Sequence, residues 1–166
     1  MRVPRPWLMG SLCAWLLPVT AGAADGVRIL APPAAAAARG AIQGATRRLA
    51  HSRCLRLLKE FTDGSGRPLE AVLEDKGQTA QSHLDQLLFY DGTVEGRCRD
   101  ARVMAYTAPE SAVVFICGAR FAQEHRRAPA ETEAIVIHEM LHTLGLGENP
   151  PTPYQITSRV FSRCMP

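Results

Sequence analysis

The chain lacks several things that would have fixed its class at once. Beyond its N-terminus no run of about 18 apolar residues exists, so no later segment reads as a transmembrane helix. No two cysteines have CxxC spacing, which argues against a cysteine zinc site. Internal repeats are absent, which excludes solenoids and arrays. Charge of one sign is lacking too. The formal net charge is +3, and a near-neutral surface gives no reason to expect nucleic acid or an anionic membrane as a partner. Past Glu139, the chain offers one histidine, His142, and one carboxylate, Glu148.

What is present begins with an export signal. Arg2 and Arg5 precede a mostly apolar stretch from Trp7 to Val19, and Ala21-Gly22-Ala23 supplies small residues for cleavage. Residues 1–23 are therefore expected to be a signal peptide, and the protein to be secreted or periplasmic, with no membrane span left after cleavage. Cleavage there leaves 143 residues, one domain with a real core. Four cysteines remain, Cys54, Cys98, Cys117 and Cys164. An even number in an exported small domain favours disulfides. Of the three pairings, Cys117–Cys164 with Cys54–Cys98 is the expected one.

Pro32-Pro33 followed by Ala34 to Ala38 reads as an Ala/Pro-rich linker over residues 24–40, turning helical near its end. A folded domain is expected over 41–166. Ile42, Leu49, Leu55 and Leu58 fall near one helical face. Short helices are expected from Leu69 to about Lys76 and from Ala80 to about Leu87, with His83 at the surface. Leu88-Phe89-Tyr90 reads as a strand. Val103–Thr107 and Ala112–Cys117 read as two strands joined by a four-residue loop, hence an antiparallel pair. A short helix follows from Ala119 to about Arg127. The order of elements predicts an α+β domain with a short, mostly antiparallel sheet, a central helix and a C-terminal helix.

The central helix carries the chemistry. Pro129 suits its first turn, and Glu131 and Glu133 complement the positive end of its dipole. It is apolar nearly all round, except at His138-Glu139-Met140-Leu141-His142, an HExxH stretch. Residues i and i+4 share a helix face, so two imidazoles so placed point at one ion. Glu139 lies about 100° round, beside the ion, where a general base belongs. With 5 His in the chain, composition alone yields roughly 0.009 accidental matches to this pattern. Gly145 suits the left-handed residue that ends a helix, and Gly147 adds freedom. Glu148 can then turn back as third ligand beside His138 and His142; Asn149, Tyr154 and Cys164 are weaker candidates. Thr152 is positioned to cap a last helix from about Tyr154 to Cys164.

The spacing His138-Glu139-x-x-His142-x-x-Gly145-x-x-Glu148 resembles the extended zinc motif of metzincin metallopeptidases, members of the zincins. That family carries His or Asp where this chain has Glu148. It also has a methionine turn beneath the metal, for which only Met165 is at hand. The resemblance implies a small zincin-like domain holding one zinc ion. It implies a zinc metalloendopeptidase hydrolysing peptide or protein substrates, with a zinc-activated water and Glu139 as general base. Tyr154 is a candidate for reaching the metal or the oxyanion. A peptide could add as a further strand along Val113 to Ile116, if that strand is an edge. Two alternatives stay open: a non-catalytic, zinc-containing, disulfide-stabilised binding module, and a zinc hydrolase of cell-wall peptides.

Overall fold

The computed structural model describes residues 26–165; the expected signal peptide lies outside them. Strand β1 (Val27–Arg28) leads into helix α1 (Pro32–Leu49). Four short helices follow: α2 (Ser52–Leu55), α3 (Leu57–Glu60), α4 (Leu69–Asp75) and α5 (Ala80–Asp85). Then come β2 (Leu88–Asp91), a 3-10 turn at Gly96–Arg99, β3 (Ala105–Tyr106) and β4 (Val113–Ile116). Three helices close the chain: α6 (Gly118–Arg127), α7 (Pro129–Thr143) and α8 (Pro153–Cys164).

The α+β class stands, but the sheet is mixed rather than mostly antiparallel. Its order is β1-β2-β4-β3. β2 runs parallel to both neighbours, and only β3 with β4 is antiparallel. Parallel neighbours need long crossovers. The five helices between β1 and β2 make one; the segment 92–112 makes the other. That segment carries β3 to the far side of β4, so β4 is interior and β3 is the edge.

Of the linker expected over 24–40, the described residues from 26 on pack into the domain. Val27 joins the sheet, and α1 starts at Pro32, whose fixed φ suits a first helical turn. Ala34, Ala35, Ala37, Ala38, Ala41 and Ala45 are buried, whereas Ile42, expected on the core face, is only half-buried. Small side chains let α1 lie close against α6 and α7. Gly44 shows how close: a Cβ there would run into the Glu133 carboxyl group. Glu133 in turn accepts from Arg48 Nε at 2.5 Å, while Arg48 Nη1 donates to the Cys164 carbonyl at 2.9 Å. Phe89, Phe121, Ile137, Met140 and Leu141 fill the centre, each contributing about 1.5–3 kcal/mol by leaving water.

The disulfides pair differently from expectation: Cys54 with Cys164, and Cys98 with Cys117. Parallel pairing of β2 with β4 brings the chain that leaves β2, through the 3-10 turn holding Cys98, to the end of β4 at Cys117. The C-terminal helix α8 packs beside α2, which places Cys164 against Cys54. Among the described residues, no helix is long and apolar enough to cross a membrane.

Candidate metal centre and active site

Helix α7 ends where its sequence says it should. The Leu146 N–H donates to the Leu141 carbonyl and the Gly145 N–H to the His142 carbonyl, with Gly145 at φ 101°. This is the Schellman geometry, in which glycine takes the left-handed position. The Glu110 N–H also donates to the His142 carbonyl at 3.0 Å, tying the β3–β4 loop to the same turn. Buried Leu146 follows, and the chain then swings Glu148 back over the helix. His138, His142 and Glu148 each bring one candidate ligand atom, all within 4.8 Å of one another.

The hydrogen bonds determine what these rings present. His142 Nδ1 lies 2.6 Å from the Leu146 carbonyl oxygen, which can only accept. His142 therefore carries its proton on Nδ1, and Nε2 presents a lone pair. That lone pair faces His138 Nε2 at 3.0 Å. Nitrogens on one tetrahedral zinc ion sit about 3.3 Å apart, given Zn–N bonds of about 2.0–2.1 Å. Glu148 Oε1 approaches His142 Nε2 at 3.3 Å and His138 Nε2 at 3.8 Å. Two imidazole nitrogens and a carboxylate oxygen converging at this spacing fit a zinc ion with one open position. His138 Nδ1 is 2.9 Å from the Thr157 hydroxyl, a contact that holds the ring from its other side.

Burial drives the His138 pKa down to about 3, with the neighbouring His142 adding to the effect. Both histidines are buried and at neutral pH His138 is uncharged, the form that binds metal. Glu139 is 6% exposed, and burial raises its pKa to about 8 in the metal-free protein, with Glu148 adding to the rise. Arg97 and the Thr107 backbone N–H oppose that rise.

A cleft of about 510 Å³ runs past these groups. The segment from Val103 to Pro109, with edge strand β3, forms one wall, and α7 through Ile135, His138, Glu139 and His142 the other. Glu148, Pro153 and Thr157 close it, and the exposed Arg97 and Arg102 complete the lining. The four predicted site residues thus lie together in one cleft.

Four readings of the sequence come out differently. Tyr154 is 81% exposed and lies outside the cleft, so it reaches neither the metal ligands nor an oxyanion beside them. The first turn of α8 points it to solvent; Pro153 just before it and Thr157, about one helical turn later, are the α8 residues that line the cleft. Met165 packs against the core at the end of α8 and does not line the cleft. Val113 to Ile116 is not an edge, because β3 covers it. His83, expected at the surface, is buried against α7, with Nε2 2.9 Å from the Thr143 hydroxyl. Arg97, Tyr106 and Thr157 escaped sequence reasoning. None belongs to a motif, and only the sheet and α8 bring them to the helix.

An α+β domain whose buried HExxH helix meets a further carboxylate, Glu148, beside the edge of a sheet is the build of a zinc-dependent metallopeptidase. Residues 70–150, a little under half of the chain, match the family model of the aspzincins, described as lysine-specific metallo-endopeptidases. The match places the protein among zinc metallo-endopeptidases, enzymes whose substrates are peptides or proteins. No curated protein and no solved structure matches the chain. Two disulfides and the lack of a membrane-spanning helix among the described residues are compatible with a secreted protein.

Proposed function

We propose that the protein is an exported endopeptidase that cleaves extended polypeptide, with His138, His142 and Glu148 as the ligands of one zinc ion and Glu139 as general base. The carrying observation is the lone pair of His142, directed by the Leu146 carbonyl at His138 Nε2 3.0 Å away, with Glu148 beside both. Lone pairs so arranged repel one another unless a cation or a proton lies between them. The spacing to Glu148 is that of metzincins, with a carboxylate as third ligand. The signal peptide at 1–23 belongs to this reading, since both disulfides need an oxidising compartment to form.

Zinc bound there supplies a Lewis acid that polarises a carbonyl and lowers the pKa of water towards about 7. The chain supplies the rest. Edge strand β3 presents unpaired backbone groups to the cleft, and an extended peptide adds to it as a further strand. This holds a scissile carbonyl between β3 and α7. The Glu139 carboxylate takes a proton from the attacking water and returns it to the leaving amine nitrogen.

Zinc content and peptide cleavage should be measured for the wild type and for Glu139→Ala. Zinc retained with cleavage lost supports the reading. Equal and negligible cleavage by both folded proteins over a broad substrate panel sinks it. In Glu148→Ala, undiminished zinc affinity rules that residue out as a ligand.

A further inference from the structure

The charge of the cleft has a consequence for its substrates. Six ionisable side chains other than tyrosine line it: Arg97, Arg102, His138, Glu139, His142 and Glu148. Two of these are carboxylates, and both are occupied under the peptidase reading, Glu148 as a ligand and Glu139 as the base. The two charges of a zinc ion cancel them. No carboxylate in the lining is left to receive a lysine side chain, although the matched family is described as lysine-specific.

The two arginines differ. Arg102 donates to Asp100 through Nε at 3.1 Å and Nη2 at 2.8 Å, which neutralises it. Arg97 makes no side-chain hydrogen bond or ion pair with any described residue. Its guanidinium sits 5.7 Å from the centroid of the Tyr106 ring, and that ring is stacked on Phe115 at 5.1 Å. A cation over an aromatic face is held in place while its N–H fork stays available. The backbone is held as well. Cys98, next in the chain, is bonded to Cys117, and its carbonyl accepts from Arg120 Nη2 at 3.0 Å. Glu95, two residues back, is exposed and does not line the cleft. Arg97 is thus a pre-positioned cation with an open N–H fork, its charge felt by Glu139 but its donors unpaired among the described residues, resting on the edge strand to which a substrate would pair.

We propose that Arg97 is a specificity-determining residue that selects peptides with an aspartate or glutamate within two residues of the scissile bond, and disfavours lysine there. The fork of five N–H donors matches a carboxylate, and like charge repels lysine. This inference rests on the peptidase reading, and its test separates the two.

Three peptides differing only in Glu, Gln or Lys beside the scissile bond would be compared. The first readout is kcat/KM for the wild type, Arg97→Gln and Arg97→Glu. The second is the affinity of zinc-loaded Glu139→Gln protein, with and without Arg97→Glu, for the same fluorescent peptides. We expect the wild type to favour Glu over Lys by about tenfold, the size of a partly exposed charge-assisted hydrogen bond. Arg97→Gln should level the three peptides and Arg97→Glu should reverse the order, with zinc content unchanged. A wild type that takes the Lys peptide equally or better overturns the proposal, as does a Glu preference that survives Arg97→Glu. If no peptide is cleaved, the peptidase reading falls, and the affinities alone decide the role of Arg97. Reversal by Arg97→Glu upholds that role, and unchanged affinities overturn it.

Discussion

His138 Nδ1 and the Thr157 hydroxyl oxygen lie 2.9 Å apart, across the seam between α7 and α8. With its proton on Nδ1, His138 donates to Thr157 and leaves Nε2 free on the side of His142 and Glu148. The C-terminal helix therefore takes part in the candidate metal centre through Thr157. Thr157 comes within reach because α8 starts at Thr152, whose side chain accepts from the Gln155 N–H in a capping box.

Thr157→Ala should lower zinc affinity by about 10- to 100-fold, the usual cost of losing a partner behind a metal-binding histidine. Thr157→Ser should keep most of it. Competition with a chromogenic chelator measures both. Equal affinity in all three proteins would mean that packing alone orients the ring.

Glu139 makes the metal-free protein sensitive to alkali. Its folded pKa, about 8, lies above the unfolded value, so the folded state holds a proton that the unfolded state has released. That stability is complete below about pH 4.5, the ordinary glutamate value. It is lost as pH rises towards and through about 8. Glu139→Gln mimics the neutral acid. Urea unfolding with zinc chelated should show its advantage over the wild type growing from pH 5 to pH 9. A constant difference would mean that Glu139 is ionised throughout.

His83 works in the opposite direction. Burial, and to a lesser extent Lys76, holds its pKa down at about 4. Between that value and about 6.5 the unfolded chain binds a proton that the folded protein refuses. Stability present above about pH 6.5 is therefore lost as pH falls through about 4, on the order of 2–3 kcal/mol in all. His83→Gln should flatten this part of the profile, as read by chelator-treated protein melted between pH 7.5 and 4.5. An unchanged slope would place the titration elsewhere.

The disulfides should differ in worth. Cys54–Cys164 spans 110 residues and Cys98–Cys117 spans 19. On chain entropy the longer loop stabilises by about 1.5 kcal/mol more. The Cys54→Ser/Cys164→Ser protein should thus unfold at lower urea than Cys98→Ser/Cys117→Ser. It should also lose zinc affinity, since α8 carries Thr157. The reverse order would mean that strain or residual structure outweighs loop closure.

The amino-acid sequence alone determined the elements whose signals lie within a few residues of one another. Pro129 opens α7, HExxH puts two imidazoles on one face, and Gly145 ends the helix in the left-handed conformation. Thr152 caps α8, and the short loop after Tyr106 makes β3 and β4 antiparallel. The convergence of His138, His142 and Glu148 was legible because 11 residues of chain carry it. The tertiary structure decided whatever joins distant segments. The alanines of α1 became core because two helices approach them closely, which propensity does not foretell. Strand order set β3 as the edge and brought Cys98 to Cys117, and the packing of α8 gave Cys54 its partner. Tyr154 turned outward and Thr157 inward by the same packing. Such pairings depend on which faces meet across the fold, and local sequence carries no record of that.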